Sequence, residues 1–421
     1  MGDSAFNNCS SLTSLIIPNT INEISNNAFC NCYSLTSVTL PDDITSIGEG
    51  AFSNCFSLAS INFHNITSIA DNAFNNCSSL KSIYIPKTTT YIGDYAFSKC
   101  SSLVSIVVEE ENTVYHSGGC NVIVETASNT LIAGCKTSKI PNNIVVIADG
   151  AFSGANELTS ATFPNSLTTI GINAFEDCRS LTSISIPSNV NDIGLLAFYG
   201  CSSLASIVVD ANNKTYDSRD NCNAIIDKSE NSLIVGCGKT KIPNGIETIG
   251  LSAFYGSATL TSIVIPSSVK TIFHDAFLNC KNLSSIVVEE GNKVYDSRNN
   301  CNAIIVSEDN ELFTGCKNTR IPSTVTSIGY SSFENCSSLT SIDIPGSVSF
   351  IDMYAFKNSS LTSIFIPSSV TEISFNVFDN CNKLVEIKCQ AKEKPAEWSD
   401  DWLGNCKATV EWGYEPSTNH I

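Results

Sequence analysis

Cysteine is the residue best placed to do chemistry in this chain. There are 19, enough for metal sites, a disulfide framework or a buried column of thiols. Ten stand three residues after a phenylalanine: Cys9, Cys32, Cys55, Cys77, Cys100, Cys178, Cys201, Cys280, Cys336 and Cys381. Ala155, Ser257 and Ser359 take the same place elsewhere. Alanine and serine there say that the place wants something small and buried, and a reduced thiol behaves as a small hydrophobe. Metal binding would need convergent CxxC or Cys/His spacing. Only Cys30-Asn31-Cys32 comes near, and it lacks partners. Cys120 with Cys135, Cys222 with Cys237 and Cys301 with Cys316 are each 15 apart. Buried free thiols are the expectation for these, with a disulfide across each as the alternative in an oxidising compartment. Cys389 and Cys406 form a further candidate pair.

No other group of residues points to catalysis. His64, His116, His274 and His420 keep no company with a carboxylate or cysteine at a spacing that suggests a triad or metal site. Gly238-Lys239-Thr240 has the ending of a phosphate-binding loop, but Leu233 stands where its first glycine should be. Glu109-Glu110-Glu111 and Glu289-Glu290 lack the Asp/Asn-Gly frame of calcium loops and read as solvated surface. The chain is therefore expected to be no enzyme and to hold no cofactor. Its net charge of −18 argues against nucleic acid and anionic membrane as partners. No run approaches the length of a membrane span, so no membrane insertion is expected. A self-repelling monomer is expected.

What positions these groups is a repeat. Marked phenylalanines fall at Phe6, Phe29, Phe52, Phe74 and Phe97, then Phe152, Phe175 and Phe198, then Phe254 and Phe277, then Phe333, Phe356 and Phe378. Neighbours within a run are 22 or 23 residues apart, the period of a solenoid whose coils bury their apolar faces only by stacking. Leu181, Ile184 and Ile186 face one side of a short strand, Pro187 ends it, and Val190 and Ile193 make a second extended piece. Ala197-Phe198 then tucks a ring inward. Counting back from Phe152, Phe254 and Phe333 puts Cys135, Cys237 and Cys316 in the leucine place. This phase predicts sixteen stacked parallel strands in residues 1–385. Long coils near 103–134, 204–236 and 283–315 each carry two β-type runs around a turn, predicting β-hairpins that bud away from the strand sheet. After about residue 386 the frame is lost. Residues 386–421 hold Trp398, Trp402 and Trp412 and read as a cap over the last open apolar face, with a sugar-binding aromatic cluster as the alternative.

The outward face of the strands carries a serine row, Ser14, Ser37, Ser60, Ser82 and Ser105 onward. Against it stand aromatic Tyr84 and Phe365 and aliphatic Ile16, Val107, Val208, Val264 and Val287. Lys136 with Lys139, Lys239 with Lys241, and Lys317 with Arg320 make three basic spots on the same face. Two readings stand: contacts for an acidic or glycan partner, or cross-strand pairing with Glu109-Glu110, Asp210 and Glu289-Glu290.

The frame Leu-x-x-Ile-x-Ile-Pro-x-x-Val-x-x-Ile-Gly-x-x-Ala-Phe-x-x-Cys, followed almost residue for residue from Leu181 to Cys201, resembles the BspA-like branch of the leucine-rich repeat family. The resemblance covers nearly the whole chain. It implies a right-handed, curved leucine-rich repeat solenoid, extracellular or at the cell surface, as in proteins of gut and oral bacteria. It implies adhesion to host cells or matrix and no shared catalytic residues; a host or matrix protein or glycan is the expected partner, with a structural spacer displaying other domains as the alternative. Met1-Gly2-Asp3 opens directly into a repeat at Ala5-Phe6 with no export signal, which reads as a fragment of a longer chain.

Overall fold

In the stretch Ser-Ile-Ser-Ile, the isoleucines of Ser183–Ile186 turn inward and the serines outward, the alternation of a half-buried strand. In the computed structural model, which describes residues 1–416, this pattern recurs along the chain. The only helical pieces among the described residues are the 3-10 turns Arg219–Asn221 and Arg298–Asn300. The chain divides into two compact units, Met1–Asp217 and Ser218–Ile421.

In the first unit the main strands pair in parallel: Ser14–Ile16 with Ser37–Thr39, Ser82–Ile85 with Ser105–Val108, and Ser183–Ile186 with Ser206–Val209. A second ladder of two-residue strands runs from Glu23–Ile24 through Ser46–Ile47 and Ser68–Ile69 to Tyr91–Ile92. A third line of contact lies at the Ala-Phe turns. The Phe29 amide donates to the Ala51 carbonyl and the Phe52 amide to that of Ala73, each at 2.8 Å. Register here stacks like rings on like. Phe6, Phe29, Phe52, Phe74 and Phe97 form one column with centroids 5.2 to 5.6 Å apart and planes within 11°. Phe152, Phe175 and Phe198 form another. Beside the rings runs an asparagine ladder. Asn31 donates to Asn8, Asn54 to Asn31 and Asn76 to Asn54, at 2.8 to 3.0 Å. All four have left-handed φ, 60° to 62°, a conformation asparagine tolerates better than most residues.

The cysteines complete each coil. Cys55 donates its thiol to the carbonyl of Phe29 one coil earlier at 3.2 Å. Cys32, Cys77, Cys100, Cys178 and Cys201 do the same to Phe6, Phe52, Phe74, Phe152 and Phe175. All 19 cysteines are free thiols, so the alternative of disulfides is not what forms. Burial pushes the thiols of Cys55, Cys100 and Cys201 up to about 12.

The long coils depart from the expectation in three ways. First, the hairpin does not bud. Ile123–Glu125 is antiparallel to Tyr115–His116 on one side and to Thr130–Ala133 on the other, and Thr130–Ala133 pairs in parallel with Val146–Ile147. The hairpin thus opens a new ladder, separate from the one that ends at Tyr91–Ile92. Val146–Ile147, Thr169–Ile170 and Asp192–Ile193 continue the new ladder. Asn112 and Tyr115 seal the junction. The Asn112 amide donates to the carbonyls of Pro86 and Thr89, its oxygen accepts from Val114 and Tyr115, and the Tyr115 hydroxyl accepts the Ile92 amide at 2.9 Å. Asn213 and Tyr216 repeat the arrangement on Pro187, Val190 and Ile193.

Second, the phase differs. Cys135 is buried, as expected, but it has the turn of a ladder cysteine. The Ser138 amide donates to its carbonyl at 3.0 Å, as the Leu181 amide does to that of Cys178. The leucine slot therefore falls to Ser138, Thr240 and Thr319. Each of these hydroxyls accepts from the cysteine amide three residues back and donates to the carbonyl of Asn121, Asn223 or Asn302. A hydroxyl serves there because two backbone groups need a partner that leucine cannot supply.

Third, the main strand is lost in these coils. Residues 135–140, 237–242 and 316–321 are turn and irregular chain, so the expected sixteen strands do not all form. The coils beginning at Leu158 and Leu339 lack a strand too, each having such a turn before it. Near residue 58 only the single bridge from Ser37 to Ser60 remains.

The second unit follows the same rules. Ser262–Ile265 pairs with Ser285–Val288, and Glu311–Thr314 leads a second ladder through Ser327–Ile328 and Phe350–Ile351 to Glu372–Ile373. Phe254 stacks on Phe277, and Phe333, Phe356 and Phe378 form a further column. Where a long coil offers no ring, glycine lets the next phenylalanine lie against bare backbone. A Cβ on Gly315 would stand 2.0 Å from the ring of Phe333, and one on Gly236 2.2 Å from that of Phe254. The frame also runs on past residue 386. Ser363–Ile366, Glu386–Cys389 and Thr409–Trp412 are three successive parallel strands in register.

Candidate binding surface

Strand alternation leaves every second side chain of the main sheets in solvent, so the outward positions are set by backbone pairing. Ser82 faces Ser105, Ser183 faces Ser206 and Ser262 faces Ser285, which gives the expected hydroxyl rows. At the outward place two residues on, Tyr84 faces Val107 in the first unit and Val264 faces Val287 in the second. All four are 44–48% exposed. Val208 is also exposed, opposite Ser185. Partial burial and then the neighbouring Glu109 raise the Tyr84 phenol above its usual range. Phe365, expected as an exposed aromatic, is half-buried. It packs edge-on against Tyr414 at 6.0 Å, and Lys388 lies over the same tyrosine ring at 4.7 Å.

The basic residues do not form the cross-strand pairs. Lys136 is half-buried and turns to Glu157 at 2.9 Å. Lys139, Lys239, Lys241, Lys317 and Arg320 are exposed and make no ion pair among the described residues. The acids proposed as their partners serve backbone amides instead. Glu109 accepts from Lys87, Glu289 from Ser267 and Asp210 from Asn212. The amides of Lys139, Lys241 and Arg320 each donate at 3.0 Å to the carbonyl of Cys120, Cys222 or Cys301, which fixes where these side chains leave the backbone.

Two of the three tryptophans are buried. Trp398 and Trp402 are 2% and 4% exposed, packed on one another at 5.1 Å with Trp402 against Phe378. Neither ring offers a free face for stacking, as a cap requires, while Trp412 is half-buried against Trp398 at 5.6 Å. His64 is an exposed partner of Asp42, and His274 stacks on Phe313 at 4.7 Å. His420 lies outside the described residues.

The family of the BspA type leucine-rich repeat region, in 6 copies, matches residues 1–118, 130–227, 235–307 and 306–409. The chain belongs to that family. The match extends through Glu386–Cys389, in agreement with the strand ladder there. The BspA-type family and its repeat fold are those of non-enzymatic proteins. Among solved structures the chain is similar to a leucine-rich cell surface protein from Faecalibacterium prausnitzii A2-165, with 29% identity and a TM-score of 0.41 over 90% of this chain and 79% of that one. A leucine-rich repeat protein from Bacteroides ovatus ATCC 8483 shows 26% identity and a TM-score of 0.41 over 98% and 86%. The pneumococcal vaccine antigen PcpA shows 17% identity and a TM-score of 0.34 over 91% and 79%. Nothing matched among curated proteins. No helix of the described residues is long and apolar enough to cross a membrane.

What the BspA-type periodicity did not mark is a polar depression at the third long coil, lined by Asn299, Asn300, Asn302, Lys317, Arg320 and Asp343, among others. Lys317 and Arg320 stood out as charges. The asparagines carried only the faint mark of being able to adopt left-handed φ.

Proposed function

We propose that this BspA-type chain is a non-catalytic binding module, extracellular or at the cell surface, that engages a host or matrix protein or glycan through the outward face of its main strands. The observation that carries this reading is the pair of exposed apolar dyads, Tyr84 with Val107 and Val264 with Val287, each in direct register and each lying beside the outward serine row. Single exposed apolar residues are ordinary and occur elsewhere on this chain, but two side by side in register make a larger apolar patch for a partner to cover. The cations Lys139, Lys241 and Arg320, free of ion pairs among the described residues, add charge that a partner can pair with.

Beads coated with the chain test this against host-matrix layers. Tyr84→Asp with Val107→Asp, and Val264→Asp with Val287→Asp, are expected to cut retention at least several-fold with the fold intact by circular dichroism. Unchanged retention in both double variants would make these faces inert and leave a spacer.

A further inference from the structure

We infer that the depression at the third long coil binds the carboxylate of an acidic sugar, of the uronic or sialic acid type, and hydrogen-bonds the hydroxyls of the same ligand. The depression has a volume of about 1010 Å³ and is open to solvent, room for a short oligosaccharide rather than a single group. Its cations are Lys317 and Arg320, neither with an acidic partner among the described residues. Arginine's planar fork suits a carboxylate better than an ammonium does. The equivalent places after the other two long coils hold Lys139 and Lys241, so the fork is particular to this one.

Asparagines supply the rest. Asn299, Asn300 and Asn302 all have left-handed φ, 58°, 51° and 54°. The side chains of Asn299, Asn300 and Asn318 have no hydrogen-bond partner among the described residues. An amide both donates and accepts, as a sugar hydroxyl does. The turn that carries them is held from behind. Arg298 forks onto Asp296 at 2.8 and 2.5 Å and reaches Asn310 at 2.7 Å. That engagement leaves Arg298 out of the site and keeps its neighbours in place. The first long coil has Gly118 and Gly119 where Asn299 and Asn300 stand, and so lacks these amides.

Asp343 limits the ligand. It lines the same depression and would repel a second anionic group, which disfavours sulfated or phosphorylated polymers. Toward hydroxyls a carboxylate is an acceptor. No aromatic ring lines the depression, so a neutral sugar would have neither stacking nor charge to hold it. An acidic peptide could meet the cations too, so hexaglutamate is the control that separates bare charge attraction from recognition of a sugar.

The assignment rests on the binding-module reading only in taking Lys317 and Arg320 as outward cations. Its test uses the purified chain and is separate from the bead assay, so either can fail alone. Glucuronosyl-xylotriose and 3′-sialyllactose, each with a single carboxylate, are titrated beside lactose and hexaglutamate at low ionic strength by ligand-observed NMR. At least one of the two acidic sugars is expected to bind about tenfold or more tighter than lactose and hexaglutamate. Arg320→Gln should remove that binding, Arg320→Lys should retain part of it, paired Asn299→Ala and Asn300→Ala should weaken it several-fold, and Lys139→Gln should leave it unchanged. Absence of acidic-sugar binding at millimolar concentration would overturn the assignment. So would binding indifferent to Arg320→Gln in a folded variant, or hexaglutamate binding as tight as the sugars.

Discussion

Trp402 meets Phe378 edge-on, with ring centroids 5.7 Å apart and planes at 80°, whereas Phe378 lies flat on Phe356 at 5.5 Å and 7°. The change of angle ends the column. A parallel ring offers a face to the next ring, while an edge-on indole covers the last face and leaves none. Trp398 supports it from behind, its indole N–H donating to the Val370 carbonyl at 3.2 Å.

Trp402→Ala should therefore expose the end of the column and cost about 3–5 kcal/mol. Chemical denaturation would read this as a lower midpoint. Trp402→Phe, which keeps a ring against Phe378, should lose far less. Equal losses for the two variants would show that the ring contact is not what closes the repeat.

Gly315→Ala is expected to destabilise by roughly 1–3 kcal/mol through overpacking. The added methyl would meet the ring of Phe333 at 2.0 Å, and that ring cannot swing away because Phe356 stacks on it at 5.3 Å. Phe333→Leu, neutral or harmful alone, should recover part of the loss in the double variant. Thermal midpoints of the four members of the cycle would decide it.

Thr240→Val should cost about 1–3 kcal/mol, because it strands the Cys237 amide in a buried place and leaves the Asn223 carbonyl only the weak Cys237 thiol donor. Thr240→Ser should be close to neutral, since the hydroxyl is what the site uses. A valine variant as stable as the parent would refute the exchange of leucine for hydroxyl in the long coils.

Alkaline pH should weaken the fold through the thiol ladder. Burial raises Cys55, Cys100, Cys201, Cys280 and Cys389 to about 12, from an ordinary 9.0. These groups hold their protons more tightly folded than unfolded. Their stabilising effect is thus complete below pH 9 and is lost as pH rises toward 12. Each contributes a slope of about 1.4 kcal/mol per pH unit within that window. Calorimetry from pH 8 to 11 should show a falling midpoint, shallower in Cys55→Ala. In native protein at pH 8, a thiol reagent should reach exposed Cys9 first, with the buried ladder cysteines such as Cys55, Cys77 and Cys100 labelled only on unfolding.

Much of this was legible in residue order. Phenylalanines 22 or 23 apart are what a column of stacked rings requires, and Ser-Ile-Ser-Ile is already a strand with an inside and an outside. Alanine or serine in place of a ladder cysteine marked a small buried slot. The face of Tyr84 and Val107 followed from the same alternation. Partner choice was not legible. Glu109 lies near a basic spot in the sequence frame, but a preceding coil presents it with the bare amide of Lys87, and the side chain satisfies that first. Lys136 meets Glu157 because the turn after Cys135 replaces the strand that would have carried it outward.

Residue order alone determined the repeat, the inward face of each coil and the membership of a stacked family, because burial periodicity is local and recurs many times over. Tertiary structure decided where the hairpins join, which hydroxyl replaces leucine, how tryptophan closes the end and which cations stay without an acid. Those outcomes depend on which backbone groups a neighbouring coil leaves unsatisfied, and a single coil's residues do not carry that information.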